Sequence, residues 1–197
     1  MTAPRTSNAG PLSPELAGYQ GQLAAVRADA TELLGGLSEV QLNWRQTPER
    51  WSIAQNLTHL VVIGRLYLPQ FDAAIQRARE KGWRKPGPFE YGALGNWVIA
   101  ELEPPPRHRL RAPKMLKPQP VQPLEQVRDA FLALQGELEQ RVHAANGIDL
   151  RRAKVATVFT SLLRLPLGQA FQALLAHERR HLWQARNVRT GSGFPGA

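Results

Sequence analysis

The fold of this chain is most strongly constrained by four long segments in which apolar residues recur at alternating spacings of three and four. Such spacing places the apolar side chains on one face of an α-helix. The segments begin at Pro14, Ser52, Leu124 and Pro166 and extend to about residues 37, 81, 142 and 190. Because amphipathic helices of this length bury their apolar faces against one another, the pattern predicts an all-α four-helix bundle with long crossover connections.

Residues that begin and end helices support these boundaries. Ser13 followed by Pro14 is a typical start of a helix, and Ser52 lies three residues before Gln55, which is the spacing of a capping box. We therefore expect one domain over residues 14–190, with residues 1–13 and 191–197 as mobile tails.

The connections between the helices are less regular than the helices themselves. Residues 82–122 are rich in proline and show no helical period, which predicts a long crossover or an insertion between the second and third helices. Residues 148–165 contain a short apolar run that is compatible with either an extended segment or a short helix.

Positive charge is concentrated in the same proline-rich region. Ten basic and four acidic residues lie between Arg77 and Lys117, so residues 77–117 carry six of the nine net positive charges. Such a segment could bind nucleic acid or another acidic partner, with Trp83 or Trp97 available for stacking on bases. The sequence contains no recognisable DNA- or RNA-reading motif, however, and charge runs are usually solvated. Binding of nucleic acid is therefore the weaker alternative.

Composition excludes several classes of site and location. The chain has no cysteine, which excludes disulfides, a thiol nucleophile and every metal site with cysteine ligands. No apolar run approaches the roughly 20 residues that span a bilayer, and residues 1–14 lack the apolar core of a signal peptide. We expect a cytoplasmic protein without a membrane segment.

Two of the five histidines lie one helical turn apart in the fourth helix. His177 and His181 enclose the pattern H-E-x-x-H, in which two imidazoles share one metal and Glu178 serves as general base on its water. Helical angles place Glu178 near the centre of the apolar face. The alternative is a buried ion pair between Glu178 and an arginine, beside two hydrogen-bonded core histidines.

A third ligand would have to come from upstream of this motif. Residues 182–197 contain no His, Asp or Glu, unlike the segment that follows the motif in common zinc proteases. His59 in the second helix is the candidate, because that helix is apolar almost all round and encloses it. A histidine in such a place is more often simply a core residue, but with His177 and His181 it makes a set of three imidazoles with room for water.

These residues also carry a resemblance to a known family. The chain resembles the DinB/YfiT-like metal-binding four-helix bundles, which are grouped with thiol-dependent S-transferases and maleylpyruvate isomerase relatives. The matching segments are Trp51-Ser52 with Asn56-Leu57-x-His59-Leu60, and Ala176-His177-Glu178-x-x-His181-x-x-Gln184. The resemblance implies that His59, His177 and His181 bind one divalent metal and leave positions open for water or substrate. It also implies an antiparallel bundle, a homodimer and a low-molecular-weight thiol as co-substrate.

The resulting expectation is a metal-dependent transferase or hydrolase that acts on a small molecule. Zinc is the first choice of metal, and nickel and iron are alternatives because imidazole suits all three. Glu178 is then either a general base or a residue that orients a histidine ligand. A structural metal in a bundle without catalysis remains open as well.

Overall fold

The computed structural model describes residues 10–108, 118–158 and 160–196. Within these ranges the chain is mostly helical, as predicted, but it also contains a small two-stranded sheet that the all-α prediction did not include. The elements are α1 (Pro14–Leu34), α2 (Glu39–Asn43), α3 (Ile53–Glu80), α4 (Ala93–Leu102), α5 (Leu124–Ala144), β1 (Lys154–Thr157), β2 (Thr160–Pro166) and α6 (Leu167–Arg189).

The four helices predicted from the apolar spacing are α1, α3, α5 and α6, and they pack on one another. Helix α3 lies against α5 and α6, and α1 lies against the same two helices. The space between them is filled by two groups of buried apolar side chains, one around Phe71 and Phe171 and the other around Leu57, Phe131 and Leu182.

The predicted capping box at Ser52 is present and sets the start of α3. The Ser52 hydroxyl oxygen accepts from the amide of Gln55 at 3.1 Å, and the Gln55 side-chain oxygen accepts from the amide of Ser52 at 3.1 Å. This cap satisfies two amide groups that a helix start leaves without partners. It places His59 in the second turn of α3.

The described part of the proline-rich connection contains a helix that its sequence pattern did not predict. Helix α4 lies within it and packs against α6, where the Gln169 amide donates to the Gly92 carbonyl at 3.0 Å and to the Asn96 side chain at 2.9 Å. Residues 109–117 lie outside the described ranges, and with them lie four of the ten basic residues of the predicted segment 77–117. Its binding to nucleic acid stays a prediction.

Strands β1 and β2 form an antiparallel hairpin immediately before α6. Val155 lies opposite Leu165, and both side chains are buried, whereas Lys154 and Arg164 are exposed. This outcome agrees with the extended alternative for residues 148–165. The hairpin leads the chain directly into the first turn of α6, because β2 ends at Pro166.

The described parts of the two predicted tails make defined contacts. The Asn146 side chain binds the amide of Ser13 and the carbonyls of residues 10 and 11. Phe194 is only 7% exposed and packs edge-on against Trp44, with ring centroids 5.5 Å apart. Residues 1–9 and 197 lie outside the described ranges. Among the helices in those ranges, none is both long enough and apolar enough to cross a bilayer.

Candidate metal centre

Packing of α3 against α6 brings the three predicted histidines together. One ring nitrogen each from His59, His177 and His181 lies within 4.8 Å of the others. The ring centroids are 4.6 to 5.2 Å apart, and the rings are steeply inclined to one another. His59 and His181 are buried, and His177 is partly exposed. Three imidazoles at these separations can share one metal ion.

The orientation of the His181 ring is set by Asn56, one turn before His59 on α3. The Asn56 amide nitrogen donates to the Ser52 carbonyl at 2.9 Å, so its oxygen is the atom that faces His181 Nδ1, also at 2.9 Å. An amide oxygen only accepts, and His181 Nδ1 must therefore carry the proton. This tautomer leaves the Nε2 lone pair of His181 available to a metal.

The ring of Trp51 packs against two of the histidines. Its ring stacks on His181 with centroids 5.7 Å apart and 24° between the planes, and it lies 4.9 Å from the His59 ring. Trp51 immediately precedes the capping residue Ser52. The start of α3 therefore positions the Trp51 ring, the orienting Asn56 and the ligand candidate His59.

The electrostatics of the cluster favour neutral imidazoles. Burial, followed by the nearby His59 and Arg180, lowers the pKa of His177 to about 3. Burial and the two neighbouring histidines likewise hold the pKa of His181 well below its usual value. Metals bind the neutral form of histidine. The buried Nδ1 of His177 also has no hydrogen-bond partner within the described part of the chain, which fits a nitrogen that faces a metal.

Glu178 is buried as its helical angle predicted, but it is not among the clustered ligand candidates. Its side chain is 0% exposed, and Oε1 accepts from the Gln135 amide on α5 at 2.8 Å. Burial raises the pKa of Glu178 to about 7, against the opposing effects of Gln135 and Arg179. The alternative ion pair between Glu178 and an arginine is not formed among the described residues.

The two arginines inside the H-E-x-x-H motif bind the proline-rich connection instead. Arg179 forms an ion pair with Glu103. Arg180 is 4% exposed, and its guanidinium donates to the carbonyls of Glu101 and His108, both at 2.7 Å. The turn of α6 that carries the histidines therefore also holds residues 101–108.

The sequence indicated the three histidines and Glu178 but assigned no role to Asn56, Trp51 or Gln135. Asn56 and Trp51 belonged to the segment that carries the family resemblance, so their pattern was visible while their contacts were not. Gln135 carried no pattern at all, because it meets Glu178 only through the packing of α5 on α6. His108 and His143 lie outside the cluster and are exposed.

Comparison with known proteins identifies the family. The DinB superfamily model matches residues 22–185, a span that includes all three histidines and the residues that orient them. No curated protein and no solved structure matches the chain. On the strength of the family match over most of its length, the chain belongs to the DinB superfamily.

Proposed function

We propose that this protein is a metal-dependent enzyme that acts on a small molecule, with one divalent metal held by His59, His177 and His181. The observation that carries the proposal is the convergence of three imidazole nitrogens within 4.8 Å at a place where burial keeps the rings neutral. Zinc is the preferred metal, and nickel and iron are the alternatives, because the ligand set is entirely imidazole.

Three neutral ligands leave the charge of a divalent ion uncompensated. When bound, such an ion supplies a Lewis-acid centre that lowers the pKa of a coordinated water or thiol. The chain has no cysteine, so the nucleophile would be water or an external low-molecular-weight thiol. Hydrolysis and thiol transfer are the two reaction classes that follow.

The surrounding residues support this chemistry in different ways. Asn56 fixes the tautomer of His181, and Trp51 packs against one side of the cluster through the His59 and His181 rings. Glu178 is proposed to be a positioning residue, because its carboxylate joins α6 to α5 through Gln135 and is not among the clustered ligand atoms. This contact supports positioning better than it supports transfer of a proton at the metal.

The family resemblance supports three further parts of the proposal. The four long helices are proposed to form the antiparallel bundle of one domain over residues 14–190. The protein is proposed to be a homodimer in the cytoplasm. Light scattering on the eluting peak of a sizing column measures the oligomeric state, and a monomeric mass would contradict the dimer.

Metal analysis of natively purified protein tests the ligand set. We expect one equivalent of divalent metal per chain, which is lost in His59→Ala and in His181→Ala. His143→Ala is the matched control, because this histidine is exposed on α5 and lies outside the cluster. Protein that stays metal-free after loading with zinc, nickel and iron(II) would refute the proposal, as would full retention of metal in His181→Ala.

A second measurement separates an open catalytic site from a closed structural one. Cobalt(II) replaces zinc and reports its ligands through visible absorption. We expect 2-mercaptoethanol to add an intense sulfur-to-cobalt absorption band in the cobalt-substituted protein, because three protein ligands leave a position free. A spectrum that does not respond to the thiol would indicate a structural metal.

A further inference from the structure

A second candidate site lies at the start of α6, where the hairpin and α4 border a cleft of about 280 Å³. This volume is close to the lower end of the range for small-molecule pockets. The cleft is lined by Gly92, Leu94, Gly95, Arg151, Lys154, Leu163, Arg164, Leu165, Pro166 and Gln169.

Three of the lining residues are cations, and the strand register brings two of them to the same face. Lys154 pairs with Pro166 and Ala156 pairs with Arg164. Because side chains alternate between faces along a strand, Lys154 and Arg164 are diagonal neighbours on the exposed face of the hairpin. Val155 and Leu165 occupy the buried face. Arg151 joins the two cations from the turn that precedes β1.

None of these three side chains forms an ion pair among the described residues. Arg186 contrasts with them, because it pairs with both Asp29 and Glu32. Asp149 acts electrostatically on Lys154, but its Oδ1 already accepts from the amides of Arg151 and Arg152 at 3.1 and 3.0 Å. Burial and the charge of Arg151 together lower the pKa of Lys154.

Cations that line one cleft without ion-pair partners repel one another, and an anion in the cleft relieves that repulsion. Leu94 and Leu163 add apolar surface to the same cleft, so the lining suits a ligand with both an anionic group and an apolar part. We propose that this cleft binds a small molecule through an anionic group, which is either a phosphate or a carboxylate.

The proposed site is separate from the histidine cluster and does not depend on it. Gln169 in the cleft and His177 lie on the same helix, and the helical rise puts roughly 12 Å along α6 between them. An anion bound at a metal would instead perturb Trp51, which contacts His59 and His181. The two sites can therefore be observed independently.

Titration of the full chain with inorganic phosphate and with malonate, followed residue by residue in ¹⁵N NMR spectra, tests the proposal. We expect saturable shifts for the amides of residues 93–95, 151–154 and 163–165, with little change at the Trp51 indole. Binding of phosphate alone would identify a phosphate site, and tighter binding of malonate would identify a carboxylate site.

The double variant Arg151→Gln/Lys154→Gln is expected to weaken the binding about tenfold or more, because two charge-assisted contacts are lost. Arg65→Gln/Arg77→Gln is the matched control, since it removes two exposed cations of α3 outside the cleft and should leave the affinity unchanged. The proposal is overturned if neither anion shifts the cleft amides. It is equally overturned if both double variants lose affinity to the same extent, because binding would then depend only on net charge.

Discussion

Asn56 on α3 orients the ring of His181, which lies on α6, through a hydrogen bond between the two helices. Its amide group bridges the Ser52 carbonyl and His181 Nδ1, so the ring tautomer depends on a residue outside the proposed ligand set. Partners of this kind raise the basicity of a ligand and fix its direction.

Replacement of this partner should therefore weaken metal binding without removal of a ligand. We expect Asn56→Ala to lower the affinity for zinc by about 10- to 100-fold, measured by competition with a chromophoric chelator. Asn187→Ala is the control, because Asn187 is exposed on α6. Equal affinities of the two variants would show that the bond to Asn56 does not tune the site.

The residues of the centre differ in how far the sequence revealed them. The spacing of His177 and His181 puts both on one side of a single helix, so their proximity follows from helix geometry alone. The helical angle of Glu178 predicted its burial for the same reason. The partners Asn56 and Gln135 lie 125 and 43 residues away from the side chains they bind. Such contacts depend on how the helices pack, which their individual patterns do not specify.

Helices α3 and α5 approach each other closely at Gly64. A Cβ atom at this position would lie 2.5 Å from Cδ2 of Leu134, whose side chain is fully buried on α5. The absence of a side chain thus permits the spacing of the two helices, and α3 in turn presents His59 to α6.

We expect Gly64→Ala to lower the free energy of unfolding by about 1–3 kcal/mol, because the added methyl group displaces buried side chains. Gly18→Ala is the matched control. Gly18 lies on the exposed side of α1, where an added Cβ meets no atom within 4 Å, and the better helix propensity of alanine should raise stability by about 0.5–1 kcal/mol. Urea unfolding of both variants measures the difference. A stabilising Gly64→Ala would contradict the close approach.

A helix was predictable from the sequence where it buries an apolar face against the core. The helices that do not bury such a face were not predicted. Helices α1, α3, α5 and α6 bury such faces, and their spacing identified them. Helix α4 exposes Leu94 and Trp97, whereas Ile99 and Leu102 pack against the core. Its apolar residues therefore do not form a single buried face that the sequence pattern could reveal. Helix α2 has only five residues, although Ser38 and Gln41 form the same capping box that identified α3.

At the scale of the whole molecule, one hydrogen-bonded cluster joins α1, α6 and the connection before α4. The hydroxyls of Tyr19 and Tyr91 both donate to Oε1 of Glu15, and the Gln172 amide on α6 donates to the Tyr19 oxygen. Burial, followed by the bond to Glu15, raises the pKa of both tyrosines above the usual value of 10.0.

This cluster should make the protein less stable in alkaline solution. Above pH 10 the unfolded chain loses protons that the folded protein keeps, so the folded state binds more protons and stability falls as the pH rises. The stabilisation is complete below pH 10. Each tyrosine contributes a slope of at most about 1.4 kcal/mol per pH unit.

Urea unfolding between pH 9 and 11.5 measures this slope. We expect Tyr91→Phe to reduce it by the contribution of one tyrosine, because phenylalanine cannot ionise. A slope that stays the same in Tyr91→Phe would show that Tyr91 does not participate.

The turn of α6 between His177 and His181 faces two structures at once. Its histidines meet α3, while Arg179 and Arg180 bind Glu103 and the carbonyls of Glu101 and His108. Because one helical turn carries both sets of contacts, a change in the backbone of this turn would alter the histidine cluster and the attachment of residues 101–108 together.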